Sequence, residues 1–271
     1  MMHRRYHDGM FTAPSEGRSL IEVALKHERL VTATLLILIP LACWTWIALM
    51  ARDMYGTMLG PSAWMMTSTW DTPHLLLLWA MWAVMMIGMM LPSVAPLALL
   101  YAGTLPTRGE AGSGRQLYAL GAGYVTVWAL FSVGATVLQR ILSSALLLNP
   151  RMEPATPIAA AGVLVIAGVY QLTPLKTACL RVCRSPLSFL LQHWRSGAAG
   201  AFRLGLRHGV YCLGCCWALM LLLFAGGVMN LVTIIALTVW VLVEKFAPFG
   251  EQTARVSGIA LLALAIWMAV R

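Results

Sequence analysis

The 271-residue chain is 60% hydrophobic and only 11% charged, with a mean hydropathy of +0.78. A water-soluble domain carries about a quarter charged residues, so this composition excludes a soluble fold and calls for a surface that faces lipid. The net charge of +9 does not point to nucleic acid, because the basic residues fall in short blocks between apolar runs, as membrane topology requires.

Residues 1–30 read as a cytoplasmic N-terminal segment in which Ser15 to Leu30 forms an amphipathic helix on the membrane face. The first apolar run starts near Leu30, after too long a polar stretch and with no small-residue cleavage site, so it is a retained anchor. A spanning helix needs about 20 apolar residues. Runs near 31–50, 74–101, 117–139, 157–173, 205–225, 228–246 and 255–270 meet or approach that length. All are expected to be helical, since a helix satisfies its own backbone in lipid. Residues 31–271 are therefore predicted to form an all-α polytopic transmembrane bundle of about seven helices.

Orientation follows from the loop charges. With the N-terminus inside, fifteen Lys and Arg fall on the cytoplasmic side and four on the outer side, namely Arg52, Arg140, Arg151 and Arg271. The C-terminus then lies outside. The outer segment 51–73, with Trp64, Met65, Met66 and Trp70, reads as interfacial, and Pro186 to Trp194 as a short interfacial helix on the inner side. The Ala225-Gly226-Gly227 link forces a tight helical hairpin, with Asn230 as a cap for the next helix.

Three constellations carry chemistry. In the second helix Met81, Met85 and Met89 fall within about 80° of one face. Thioethers select Cu(I), and such a ladder would line an ion's path, although Met is also an adaptable packing residue. Asp71 and His74 flank Pro73 at the mouth of that helix. They serve either as cap and first turn or as the first acceptor of an ion. The most specific feature is His208, Cys212, Cys215 and Cys216, gathered within roughly a third of the wheel at the start of the fifth span. Imidazole and thiolates suit Cu(I) or zinc. Cys179 and Cys183, one turn apart, follow the fourth span on the same inner side and leave Cys43 as the outlying thiol. Glu244 and Lys245 at the inner end of the sixth span pair with each other or snorkel.

These residues resemble a known group. Met81-Trp82 through Pro92-Ser93, Tyr170-Gln171 through Pro186, His208-Gly209 through Met220, Met229-Asn230-Leu231 and Glu244-Lys245 match an uncharacterised bacterial integral-membrane family described as predicted metal-binding membrane proteins and copper chaperones. The resemblance spans roughly 75–270. It implies a multi-pass protein of the bacterial inner membrane that handles a soft metal.

Two functions follow as expectations. One is a non-enzymatic Cu(I) carrier that serves or assembles a membrane metalloenzyme, with zinc as the other candidate ion. The alternative is a non-catalytic accessory subunit of a larger membrane complex, in which Met and Cys serve packing. A thiol oxidoreductase is disfavoured because Cys212 and Cys215 lie within a span, away from protein substrates. Bis-histidine haem ligation is disfavoured because His74 and His208 fall on opposite sides.

Overall fold

In the computed structural model residues 15–56, 70–105, 113–149 and 152–270 are described. Arg4, Arg5, Trp64, Met65, Met66, Arg108, Arg151 and Arg271 lie outside them, as do the side chains of 15–29. The described residues form helices α1 (Ser15–Tyr55), α2 (Thr72–Thr104), α3 (Ser113–Ser144), α4 (Pro157–Gln171), α5 (Pro174–Arg184), α6 (Pro186–His193), α7 (Gly197–Gly226), α8 (Leu231–Phe246) and α9 (Gly250–Val270). They contain no strand, and the chain is an all-α helical bundle. Ser15–Leu30 and the first span are one continuous 41-residue rod.

Among the described residues five helical stretches are long and apolar enough to cross a membrane: Thr32–Tyr55, Thr72–Thr104, Gly114–Ser144, Gly197–Gly226 and Gly250–Val270. A sixth is possible if α4 and α5, bent by 66°, make one broken span. The break has a local cause. Thr173 caps α5 by accepting from the Lys176 amide at 3.3 Å, and Pro174 takes the first helical position, which it is shaped for. The sixth expected span is shorter than its apolar run, because Asn230 turns the chain and accepts from the Val232 and Thr233 amides. At 16 residues, α8 is about 24 Å long, less than a hydrocarbon core of about 30 Å. Gly227, with φ of +90°, makes the turn that ends α7.

Small residues let the helices that bear chemistry close on one another. A Cβ on Gly205 of α7 would sit 2.0 Å from the Leu120 carbonyl oxygen, and one on Gly123 of α3 would sit 2.1 Å from that of Phe202. No residue but glycine fits at either crossing, and the resulting approach puts Tyr124 beside the cysteines of α7. Gly168 and Gly258 do the same for α4 and α9. On α2, Gly88 receives Cys43 of α1, whose Cβ lies 2.9 Å from where a side chain would begin. At the opposite end, Glu153 in the α3–α4 loop accepts from Tyr55 at 3.1 Å, and the Met152 carbonyl accepts from the Val228 amide at 3.3 Å. That loop thereby ties α1 to the α7–α8 link.

Candidate metal centre

The fifth span begins eight residues earlier than its apolar run suggests, at Gly197. Cys212 is therefore about 22 Å along a rod of about 45 Å, in the middle of α7 and not at its start. Cys212, Cys215 and Cys216 are all buried, and each thiol meets a different helix. Cys216 Sγ lies 3.9 Å from Met90 Sδ of α2. Cys215 Sγ lies 3.9 Å from Cys183 Sγ of α5. Cys179 also faces α7, its Sγ 2.7 Å from where a Cβ on Gly214 would stand. The two cysteine pairs that are distant in sequence thus meet in space.

Cys212 has polar company. Lys245 Nζ of α8 donates to Cys212 Sγ at 2.9 Å and to Ser93 Oγ at 3.1 Å. Tyr124 Oη stands 3.0 Å from the same sulfur and donates to the Met90 carbonyl at 2.9 Å. Ser93 donates to that carbonyl at 2.7 Å. A backbone carbonyl has two lone pairs, so that of Met90 can take these side-chain donors besides its helical partner. Met90 belongs to the Met-rich face of this helix without being among the expected ligands, and Ser93 and Tyr124 are not legible as site residues beyond the place of Ser93 beside Pro92 inside a span.

Glu244 and Lys245 do not pair with each other and do not snorkel. Both are buried, and adjacent helical positions point about 100° apart. Glu244 takes Lys176 Nζ at 2.5 Å, Gln171 Nε2 at 2.6 Å and Trp240 Nε1 at 3.0 Å. Arg184 then donates to the Glu244 carbonyl at 3.3 Å and to that of Pro248 at 2.9 Å. This network ties α5 to α8, in addition to the direct packing of α5 on α7 that brings Cys183 next to Cys215.

The remaining expected residues are placed as follows. His208 is buried one turn before Cys212, its ring 5.2 Å from Phe189 and 6.1 Å from Tyr124. Among the described residues its Nδ1 has no hydrogen-bond partner. Met81, Met85 and Met89 are wholly buried along α2, as are Met86 and Met90. Asp71 caps α2 by accepting from the His74 amide at 3.1 Å, and the buried His74 ring packs 5.3 Å from Trp70. Among the described residues no three His, Cys, Asp or Glu side chains converge closely enough to hold an ion. The geometric reason is that the thiols of α7 fan out toward separate helices and His208 turns toward α6.

The donor chemistry still fits a soft ion. A metal–thiolate bond of about 2.3 Å places two sulfurs of a tetrahedral site about 3.8 Å apart. Both sulfur pairs stand at that spacing, and thioether with thiol is a set that selects Cu(I) over harder ions. Comparison with curated proteins and with solved structures gives no match. A family model described as PpoB2, copper chaperone, matches residues 79–268. That stretch contains the Met stripe of α2, Cys179, Cys183, Cys212, Cys215 and Cys216, His208 and Lys245, and the chain belongs to this copper chaperone family.

Proposed function

We propose that the chain is a multi-pass protein of the bacterial inner membrane, N-terminus inside and C-terminus outside, that takes Cu(I) into the bundle and passes it to a membrane metalloenzyme under assembly. Its role is carriage and not catalysis. Asp71 and His74 would receive the ion at the outer mouth, and Met81, Met85 and Met89 would line its way. The inner ligands would be drawn from His208, Cys212, Cys215, Cys216, Cys179 and Cys183, with Met90 added. Zinc would suit the thiols and imidazole but not the thioethers.

The meeting of sulfurs from α2, α5 and α7 carries this reading. Met90 with Cys216 and Cys183 with Cys215, each 3.9 Å apart, make two adjacent stations between which a Cu(I) ion would exchange ligands. The Nδ1 of His208, which has no partner among the described residues, is a further donor. Metal analysis and X-ray absorption of the reduced, membrane-extracted protein test it. Wild type should retain copper with sulfur neighbours. Loss of a supporting group around a metal ligand costs about 10–100-fold in affinity, so Cys215→Ser with Cys216→Ser should weaken retention by more than about 100-fold. Stoichiometric copper in that double variant sinks the ligand assignment.

A second reading is favoured by one observation. Met81, Met85 and Met89 are wholly buried, as core packing would require. An accessory subunit of a larger membrane complex would use them that way. Isolation within such a complex, with no copper in either form, would support it.

A further inference from the structure

Two cavities lined by arginines open at the end of the bundle where α5, α6 and the start of α7 lie. In the first, of about 630 Å³, Arg181, Arg184 and Arg255 line the wall. Two of the three guanidinium groups are already engaged: Arg181 grips the Glu251 carboxylate at 2.7 and 3.0 Å, and Arg184 spends its donors on two backbone carbonyls. The second cavity, of about 690 Å³ between α6 and α7, differs. Arg195, Arg203, Arg207 and His193 line it with no acidic residue. Among the described residues none of the three arginines has a carboxylate partner.

The local fold builds this convergence. Arg203 and Arg207 are one turn apart on α7 and share a face. Arg195 lies over the same end of the helix because Gly200 lacks a side chain: a Cβ there would stand 2.4 Å from the Arg195 carbonyl oxygen. His193 is held by its Nδ1, 2.9 Å from the Phe189 carbonyl oxygen. The rest of the wall is apolar, from Leu206, Val210 and Tyr211. Val210 is exposed, as are Leu187 and Leu191 on the adjoining α6. Topological arginines need only lie somewhere in the loop. Three aimed into one cavity, with an aliphatic surface continuing from its rim, form an amphipathic receptor for a charged head and a greasy tail.

We propose that the cavity between α6 and α7 binds the phosphate of an anionic phospholipid at the inner leaflet, with its acyl chain against Val210 and α6. Guanidinium matches phosphate in geometry and charge, and basic cavities between spanning helices are sites for such headgroups. The inference goes beyond copper carriage and does not depend on it. A soluble phosphate would satisfy the arginines but leave the apolar wall unused.

The test uses the full chain in nanodiscs of phosphatidylcholine with or without phosphatidylglycerol, read by native mass spectrometry for retained lipid. Wild type should keep phosphatidylglycerol in preference to phosphatidylcholine. Each basic group at an anionic surface is worth about fivefold, so Arg203→Gln with Arg207→Gln should weaken that retention about 30-fold. Arg203→Lys with Arg207→Lys, which preserves the loop charge needed for insertion, should restore part of it. Arg255→Gln, in the other cavity, should leave it unchanged. Equal retention in the Gln double variant overturns the proposal. So does binding of inorganic phosphate in pure phosphatidylcholine discs that phosphatidylglycerol does not displace. Loss of an acidic protein partner without any change in lipid would do the same.

Discussion

Two buried lysines stand on either side of α8, and their partners differ. Lys176 meets a carboxylate, and Glu244 in turn is bonded to Gln171 and Trp240. Lys245 meets a thiol and a hydroxyl, Cys212 and Ser93, and has no carboxylate among its described hydrogen-bond partners. The first arrangement matches each charge with its opposite, and the carboxylate accepts from three side chains at once, although Gln171 Oε1 has no partner among the described residues. The second places an amine against a thiol and a hydroxyl, and the thiol is itself a candidate for another ligand. The contrast separates what holds α5 in place from what is available for chemistry. It also explains why the two clusters share a helix: Glu244 and Lys245 are consecutive, so whatever fixes one side of α8 fixes the other.

The largest effect should come from breaking the Lys176–Glu244 pair. Lys176→Met leaves the Glu244 carboxylate buried with no opposite charge, and one-sided removal of a buried pair costs about 3–5 kcal/mol. Reversible unfolding of the detergent-extracted protein should show a loss of that size. Replacing both partners, Lys176→Met with Glu244→Leu, should recover most of it, because no orphan charge remains. If Lys176→Met alone unfolds like wild type, the pair is not what anchors α5. Proximity of Cys183 to Cys215 gives a second readout: a bifunctional thiol crosslinker should join them in wild type and much less in the single variant.

Lys245→Met should act differently in the same measurement. Its removal strands no carboxylate, since none is among its described hydrogen-bond partners, while Ser93 Oγ and Tyr124 Oη are 3.1 Å apart and Tyr124 also reaches Cys212. Those groups remain bonded to one another and to the Met90 carbonyl. The loss is then that of hydrogen bonds with a net worth of about 1 kcal/mol, offset by relief of a buried ammonium. Stability within about 1 kcal/mol of wild type is expected. A loss as large as that of Lys176→Met would mean that Cys212 and its neighbours carry a full negative charge in the folded protein, and the contrast between the two clusters would fall.

How much of this was readable from sequence divides along the same line. Helix ends marked by short-range chemistry were legible: Asp71 and Asn230 cap as their types require, and the Pro186 segment is a short helix. The gathering of five thiols in two short stretches, 179–183 and 212–216, was legible as composition, although Cys212 lies in the middle of α7 and not at its end. Its geometry was not, because the contacts join residues 32, 68 and 126 positions apart, Cys215 to Cys183, Glu244 to Lys176 and Cys216 to Met90. No local period encodes those. One misreading had an available signal. Residues i and i+1 on a helix do not face each other, which argued against a Glu244–Lys245 pair. The apolar run near 205–225 marks only part of the helix: α7 begins at Gly197, and Gly205 within it serves the crossing with α3.

The smallest effect should come from the pair that looks best on paper. Arg181 grips Glu251 through two nitrogens, at 2.7 and 3.0 Å, with better geometry than the buried pair. Its side chain, however, is 67% exposed. Water screens the attraction, and two flexible side chains must be ordered to make it, so exposed ion pairs contribute little. Arg181→Gln should leave the unfolding midpoint unchanged at physiological salt, with a slight decrease only at low ionic strength, where screening is weak. A salt-independent loss would show that Arg181 helps hold α5 to α9. The network around Glu244 would then share its task with the surface, and the distinction drawn between Lys176 and Lys245 would need a third member.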